Sequence, residues 1–240
     1  MPHMHRFYHD SALPESGDVA LSRDESHHAM RVLRARVGDA VTLFDGAGRT
    51  WLGAITELSR NEVQVAIESE AFTPRPEPEL TLVQAWLHRD KVADEIVRQA
   101  TVLGVAEMVF FRAAHSEKKP KMSEKWARLC IEACKQCGRP WLPRITVVGD
   151  MAEALTHVAG QCVAIARMEG PHVPVGRVAG TDPVAYLVGP EGDFSETELA
   201  QADAAGALPI SLGDCTYRAE MAAQVGLTLI QHHLGHMGGL

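Results

Sequence analysis

The 240-residue sequence is 46% hydrophobic and 22% charged and has a formal net charge of −8, so it can fill one large domain or two smaller ones around a buried core. No apolar run is long enough to span a bilayer, and no apolar segment follows the N-terminal residues, which argues against membrane insertion and a secretory signal. Five cysteines, an odd number, favour a reduced, cytoplasmic setting over a disulfide framework.

The acidic total hides one basic segment. Residues 112–144 contain nine basic and three acidic residues, a local charge of +6, and they include Lys118, Lys119 and Lys121. Such a run is either a solvated surface or a surface that contacts phosphate groups, and the sequence leaves both interpretations open.

Short apolar runs separated by glycine and aspartate turns fill the first 72 residues. The runs at 41–44, 51–55 and 63–67 have the length of strands and predict a small antiparallel barrel. A helical piece is expected after Ser22.

The helical piece carries arginines at a regular interval. Arg31 and Arg34 are three residues apart, a spacing that can place both guanidinium groups on one helical face. Met30 and Leu33 would then face the barrel.

A proline-rich stretch at 72–79 predicts the boundary between a domain of residues 1–72 and a domain of residues 73–240. Beyond it, strands alternate with helices, which predicts a mostly parallel α/β sheet covered by helices on both faces. Strands are expected at 81–86, 108–111, 145–148 and 163–166, and helices at 90–103, at 123–137 and after Asp150. The helix at 123–137 is expected to bury Trp126, Leu129, Ala133 and Cys137, and Cys130, Cys134 and Cys137 fit a structural core better than a metal site, because no fourth ligand is near.

Residues 187–198 form the first candidate ligand corner. A buried strand at Val184–Val188 turns through Gly189 and Gly192, and a helix restarts at Ser195 with a capping-box Glu198. A glycine turn lets the backbone approach a ligand, and the same pattern also suits an ordinary turn between a strand and a helix.

A second glycine corner follows within 30 residues. A short strand ends at Gly213, and a long apolar helix that reaches about His233 begins near Arg218 and Glu220. If the two strands are adjacent, both corners face one cleft at the carboxyl ends of the sheet.

The two corners in this order resemble a known family, the RsmE-type ribosomal RNA uridine-N3 methyltransferases of the SPOUT superfamily. The likeness is carried by the run from Leu187 to Ser195, by Ser211-Leu212-Gly213 and by Arg218-Ala219-Glu220. It extends through most of the chain. Further matching motifs are His27-His28, Val32-Leu33-Arg34, Gly38-Asp39, Phe44-Asp45-Gly46, Lys91, Gln99-Ala100-Thr101, Leu103-Gly104-Val105, Glu132-Ala133 and Gln136-Cys137-Gly138-Arg139.

This resemblance implies a PUA-like, RNA-binding β-barrel followed by a SPOUT α/β domain whose C-terminal chain forms a trefoil knot. It implies a homodimer that uses S-adenosylmethionine, without a metal or a membrane, to make N3-methyluridine in 16S ribosomal RNA or the small ribosomal subunit. The implied cofactor residues are Leu187, Gly189, Pro190, Glu191, Gly192, Ser211, Leu212 and Gly213.

The expected catalytic residues are Arg218, which would hold charge on a uracil oxygen, and Glu220, which would accept a proton or orient its neighbours. Residues expected to contact RNA phosphates are Arg6, Arg31, Arg34, Arg36, Lys118, Lys119, Lys121 and Arg139.

The sequence departs from the family pattern at three positions in the corners. Cys215 stands in place of an arginine, Met221 in place of a hydroxyl residue and Asp193 in place of the commoner glycine. A SPOUT enzyme with another target nucleotide and a non-catalytic RNA-binding protein therefore remain alternatives. A dehydrogenase or nucleotide hydrolase also fits the alternation, but the sequence has neither G-x-G-x-x-G after the first strand nor a P-loop lysine motif.

Overall fold

A computed structural model describes residues 4–11, 13–178, 180 and 182–237. The chain divides into two compact units. The first contains the residues up to 75 together with 131–142, and the second contains 76–130 and 143–240. No helix in the described ranges is long and apolar enough to cross a membrane.

The first unit is built on one five-stranded sheet in the order β1-β3-β4-β5-β2. Its strands are β1 (His5–Tyr8), β2 (Gly17–Ala20), β3 (Ala40–Phe44), β4 (Arg49–Leu58) and β5 (Val63–Phe72). The sheet is not wholly antiparallel as predicted, because β1 pairs with β3 in parallel. Parallel neighbours need a crossover connection, and residues 9–39, which include β2, supply it.

The arginine-bearing helical piece is shorter and less regular than predicted. Helix α1 (Arg23–His27) is capped by the Ser22 hydroxyl and continues as a π-helical segment, His28–Leu33. Arg34 ends it in the left-handed conformation, with φ 53°. Arg34 is therefore outside the helix, and the prediction that it shares a helical face with Arg31 is wrong. Met30 and Leu33 pack against the core of this unit, as predicted.

The second unit is built on a six-stranded sheet in the order β11-β9-β10-β6-β7-β8, and every pairing in it is parallel, as predicted. Its strands are β6 (Leu80–Ala85), β7 (Glu107–Phe111), β8 (Arg144–Val147), β9 (Cys162–Ala166), β10 (Val184–Val188) and β11 (Leu208–Ile210). Its longer helices are α2 (Asp90–Val102), α4 (Met151–His157), α5 (Glu196–Ala204) and α6 (Ala219–His233). Helix α3 (Lys125–Cys137) begins in this unit, and its residues from 131 onward belong to the first unit. A short 3-10 turn, Val175–Arg177, precedes β10.

Helices cover both faces of this sheet, because strand side chains alternate between the faces. Ala185 and Leu187 of β10 belong to an apolar cluster with Ala154 of α4 and Ala202 of α5. Tyr186, which points the other way, contacts α6. Both faces are therefore buried, and the strand ends carry the loops that are free to bind ligands.

Helix α3 buries a different set of side chains from the predicted one. Trp126, Cys130, Ala133 and Cys134 are buried, whereas Cys137 is exposed. Cys137 is the last helical residue, since Gly138 follows with φ 83°. The structural interpretation of the cysteines thus fits two of the three.

A polar cluster at the amino end of β7 makes the stability of the second unit depend on pH. The buried Glu107 carboxylate accepts hydrogen bonds from Thr146 Oγ1 at 2.8 Å and His157 Nε2 at 2.9 Å, and Arg144 Nη2 is 3.3 Å away. Burial raises the pKa of Glu107, but these hydrogen bonds and the charges of His157 and Arg144 outweigh burial and hold it below its ordinary value of 4.5.

The interactions of Glu107 stabilise the fold only while its carboxylate is ionised. The free energy of unfolding should therefore fall as the pH drops from about 4.5, the ordinary pKa, through the lower pKa that Glu107 has in the folded protein. Glu107→Gln should lower stability at pH 7 by about 1–3 kcal/mol and reduce the additional loss in acid. Urea unfolding from pH 7 to pH 3 measures both effects. The exposed Glu124→Gln is the matched control, and equal acid sensitivity of the two variants would contradict the assignment.

Candidate functional site

The first glycine corner follows β10, the strand buried between β9 and β6. Val184–Val188 is fully buried and has the predicted bounds. The capping box at the start of α5 is also confirmed, because the Ser195 hydroxyl accepts from Glu198 N and the Glu198 carboxylate accepts from Ser195 N. A buried strand and a capped helix thus fix both ends of the turn.

The loops after β6 and β7 hold this turn in place. Gln84 Nε2 is 3.4 Å from the Gly189 carbonyl oxygen, and Glu191 Oε1 accepts from His88 N at 3.1 Å. His115 Nδ1 lies 2.9 Å from the carbonyl oxygens of Gly192 and Asp193. Since a carbonyl oxygen only accepts, Nδ1 is the protonated ring nitrogen. The corner is therefore held in place by β6 and by the two loops that follow β6 and β7.

Two corner residues show why small or flexible residues are needed here. A Cβ on Gly192 would lie 3.1 Å from His115 Cβ, so a larger residue would push the loop after β7 away. Asp193 adopts φ 61°, and its Oδ1 accepts from Phe194 N at 2.7 Å. Aspartate tolerates this left-handed conformation through such local hydrogen bonds, which explains how it can stand where glycine is common.

The second corner follows β11. Ser211 Oγ accepts from Gly213 N at 3.1 Å, and Gly213 has φ 109°, a conformation that side chains rarely adopt. The loop continues exposed to Arg218, which is the N-cap residue of α6 and makes no side-chain capping bond. The predicted helix up to His233 is confirmed.

The two corners are not on adjacent strands, because β9 lies between β10 and β11. This corrects the prediction of neighbouring strands. All three strands are parallel, so their carboxyl ends and both corners still lie at one edge of the sheet.

Helix α6, which follows the second corner, contacts β10, the strand that leads into the first corner. Tyr186 of β10 donates its hydroxyl proton to the Ala222 carbonyl oxygen at 2.9 Å, in the first turn of α6. Burial raises the pKa of Tyr186, so the hydroxyl remains a donor at neutral pH. A Cβ on Gly226, one turn further, would lie 2.1 Å from Tyr186 Cζ and Oη. The position of Arg218 and Glu220 is thus tied to β10.

The backbone of both corners has free donors that suit a polar cofactor. Within the described residues, the N–H groups of Gly189, Glu191, Gly192 and Leu212 and those of residues 214–217 donate to no protein group. Gln84 Oε1, fully buried beside the first corner, also has no hydrogen-bond partner in the part of the chain that the structure describes. Free backbone groups on glycine turns can hold the adenosine and methionine portions of S-adenosylmethionine, so four of the eight predicted cofactor residues, Gly189, Glu191, Gly192 and Leu212, fit that group on this ground.

The two predicted catalytic side chains are available for a substrate. Arg218 is exposed and Glu220 is partly exposed, and neither has a side-chain hydrogen bond or ion pair within the described part of the chain. Cys215, Tyr217 and Met221 are exposed nearby in sequence. An unpaired arginine fork at the start of a helix can bind an oxygen that carries negative charge.

The predicted RNA-contacting residues are divided between the two units. Arg31, Arg34 and Arg36 are exposed in the first unit, and Arg139 is half-buried there. Arg6 donates to the Lys135 carbonyl oxygen at 3.3 Å, so it also stabilises the end of α3. In the second unit, Lys118 Nζ is 3.9 Å from Asp90 Oδ1, whereas Lys119 and Lys121 are exposed without a partner in the described residues.

Among the described residues, no group of three or more His, Cys, Asp and Glu side chains is placed to hold a metal ion.

Sequence reasoning missed Gln84, His88, His115 and Tyr186, which position the corners. Tyr186 left one signal, a hydroxyl in an otherwise aliphatic buried strand, which requires a polar partner. The other three depend on contacts between residues 77 to 105 positions apart, for which the sequence gives no local sign.

Comparison with known proteins agrees with this architecture. A family model described as an RNA methyltransferase domain matches residues 74–231, and one described as an RNA methyltransferase PUA domain matches residues 21–68. Two relatives named ribosomal RNA small subunit methyltransferase E are similar to the chain. The protein of Synechocystis sp. is 29% identical over 220 residues, covering 88% of this chain and 72% of its own length. That of Rickettsia conorii is 26% identical over 231 residues and covers 94% of each chain.

Solved structures show the same similarity. A ribosomal RNA small subunit methyltransferase E from Neisseria gonorrhoeae, bound to S-adenosylmethionine, is 26% identical with a TM-score of 0.83, covering 96% of this chain and 98% of that one. A Legionella pneumophila methyltransferase in complex with the same cofactor is 26% identical with a TM-score of 0.84, covering 95% and 97%. The mixed α/β fold with a PUA-like and a methyltransferase domain is thereby confirmed.

Proposed function

Because the chain belongs to the RNA methyltransferase family, whose domain model spans residues 74–231, we propose that it methylates N3 of a uridine in 16S ribosomal RNA with S-adenosylmethionine. The observation that carries the proposal is the pair of glycine corners with free backbone donors, joined by Tyr186 and α6. Relatives named for this activity and cofactor-bound structural neighbours support it.

Cofactor binding is assigned to the two corners. Leu187, Gly189, Pro190, Glu191 and Gly192 would hold it from one side, and Ser211, Leu212 and Gly213 from the other. S-adenosylmethionine supplies an electrophilic methyl group on a sulfonium. Glu191 keeps one carboxylate oxygen for this role, since the other accepts from His88 N.

The chemistry requires that uracil N3 lose its proton, because the protonated nitrogen is a poor nucleophile. Arg218 would bind the uracil oxygen next to N3, on which negative charge develops. Glu220, one residue into α6, would accept the proton or orient Arg218. Methyl transfer otherwise needs alignment of the reacting atoms, which the fixed corners provide.

The target base must leave its stack to enter this site. The groups we assign to the RNA phosphates are Arg6, Arg31, Arg34, Arg36 and Arg139 in the first unit and Lys118, Lys119 and Lys121 in the second. An affinity that falls steeply with salt is expected from such contacts.

We also assign a homodimer, a closed barrel in the first unit and a trefoil knot in the second to this protein. The family resemblance supports all three, and the insertion of β9 between β10 and β11 is compatible with a threaded C-terminal chain. The ribosomal RNA substrate and five free thiols support the cytoplasmic location predicted from sequence. Light scattering tests the dimer, and a crystal structure traced from β9 to α6 tests the knot.

The function is tested by titrating the purified protein with S-adenosylmethionine and with NAD, and then by nucleoside analysis of small ribosomal subunits after incubation. We expect S-adenosylmethionine to bind saturably and NAD not to bind. After incubation, the small-subunit RNA should contain a new N3-methyluridine. Methylation of another nucleotide would indicate a different RNA target. Binding of RNA without any methyl transfer would indicate the non-catalytic alternative.

A further inference from the structure

A cavity of about 870 Å³ opens at the carboxyl ends of β7 and β8, beside the end of the first glycine corner. It shares Ser195, Thr197 and Glu198 with that corner but none of the residues assigned to the cofactor. Its walls come from the loop after β7, the end of β8 with the start of α4, and the first turns of α5. Its lining includes the basic side chains Arg112 and Lys119 and the uncharged polar side chains Thr197 and Gln201. This volume is within the range of about 300–1,000 Å³ that holds small ligands, and a single nucleotide fits it.

The cavity offers two free cations. The side chains of Arg112 and Lys119 are exposed, and neither has a hydrogen-bond or ion-pair partner within the described residues. The two acidic side chains in the lining are already engaged. Asp150 Oδ1 accepts from Glu153 N at 3.0 Å, and Glu198 accepts from Ala114 N at 2.8 Å and from Ser195. Both carboxylates stay negative but are directed to backbone N–H groups, whereas the side chains without a partner in the described residues are positive, and these suit a phosphate.

The other walls offer what a base requires. Pro120, Val147 and Val148 are half-buried and form an apolar surface against which a base can pack. Thr197 and Gln201 lie four residues apart on one face of α5, and within the described residues neither side chain makes a hydrogen bond. A glutamine amide and a hydroxyl can pair with the donors and acceptors on a base edge.

From this combination of phosphate-binding cations, an apolar wall and free edge-reading groups, we propose that the cavity binds one unpaired nucleotide of the RNA substrate, outside the methylation site. The proposal rests on the proposed function, because it takes the partner to be RNA. It also gives Lys119 a specific role within the basic segment and adds Arg112 and Gln201 to the RNA-contacting residues. The nucleotide bound here would fix the register of the strand that delivers the target uridine.

The test uses the full chain and four variants: Arg112→Ala, Lys119→Ala, Gln201→Glu and the control Arg128→Ala. Arg128 is an exposed arginine of the same unit that lines no part of the cavity and has no partner in the described residues. Gln201→Glu preserves shape on an exposed helix position and adds a negative charge. Binding of a fluorescein-labelled single-stranded RNA is measured by anisotropy at several salt concentrations, and S-adenosylmethionine binding by calorimetry.

We expect each cavity variant to bind the RNA about five- to tenfold more weakly, while affinity for S-adenosylmethionine stays unchanged. For the two cation variants, the slope of log K against log salt should become less negative by about 0.7, the value for one phosphate contact on a single strand. The KM for small ribosomal subunits should rise in parallel, with kcat within about twofold. Arg128→Ala should match the wild type.

The proposal is overturned if all three cavity variants bind RNA as Arg128→Ala does. It is also overturned if free UMP or AMP binds with the same variant dependence while RNA binding does not change, because the occupant would then be a free nucleotide. Failure of the proposed function is a separate result. It would appear as wild-type protein that binds RNA and never methylates the small subunit, and the anisotropy comparison would still decide the role of the cavity.

Discussion

Arg218→Ala is expected to slow methyl transfer to small ribosomal subunits by about 10²–10³-fold, the usual effect of removing a donor that stabilises developing charge. Binding of S-adenosylmethionine should stay within about threefold, because the corner backbone rather than Arg218 is assigned to the cofactor. Arg218 is exposed at the N-cap of α6 and makes no side-chain cap, so its removal should leave the fold unchanged. Single-turnover methylation with saturating cofactor measures the effect.

Two further variants make this prediction specific. Arg218→Lys keeps the charge and loses the planar fork of donors, so it should recover only part of the rate. Arg177→Ala, another exposed arginine of the second unit without a partner among the described residues, should behave as the wild type. If Arg218→Ala methylates at the wild-type rate, the assignment of Arg218 to the acceptor base is wrong.

The same assay can decide between the two roles proposed for Glu220. If it accepts the N3 proton, Glu220→Gln lowers the rate at neutral pH, and raising the pH restores part of the activity as the uracil loses its proton in solution. If Glu220 only orients Arg218, the loss is the same at every pH. The shape of the pH profile therefore separates the two roles.

The sequence predicted those parts of the site that depend on local patterns. β10 has its predicted bounds, the Ser195 capping box forms, and α6 begins at the predicted arginine. Each of these depends on residues only a few positions apart. The capping box, for example, is fixed by the spacing of Ser195 and Glu198.

The errors occurred where distant residues or backbone conformation decide the outcome. β9 pairs between β10 and β11, a choice of strand order that no local pattern encodes. Arg34 leaves the helix because its backbone turns left-handed, which a three-residue spacing cannot show. The cavity beside α5 depends on loops that follow separate strands, so its free Arg112 and Gln201 became visible only in the folded chain.

The second large effect is expected at Gly226, in the middle of α6. Alanine usually stabilises a helix by about 1 kcal/mol relative to glycine. Here its Cβ would lie 2.1 Å from Tyr186 Cζ and Oη and 2.4 Å from Cε1. Tyr186 is fully buried between β9 and β6 and is hydrogen-bonded to Ala222, so the ring cannot move aside. Overpacking of this kind costs about 1–3 kcal/mol or more and should outweigh the helical gain.

Gly226→Ala should therefore lower the free energy of unfolding by about 1–3 kcal/mol in urea denaturation, whereas Gly176→Ala should leave it almost unchanged. A Cβ on Gly176 would find its nearest atom, His233 Nδ1, at an ordinary 3.7 Å. Equal stability of the two variants would show that Tyr186 does not restrain α6.

A displaced α6 also moves Arg218 and Glu220 away from the β10 corner. The Gly226→Ala protein that remains folded should therefore lose methyl transfer more than cofactor binding. Tyr186→Leu removes the ring that the new Cβ would meet. Gly226→Ala should therefore cost less stability when it is added to Tyr186→Leu than when it is added to the wild type. The missing Cβ at Gly226 thus lets α6 pack directly on the strand that carries the first corner, an arrangement on which the proposed joint site depends.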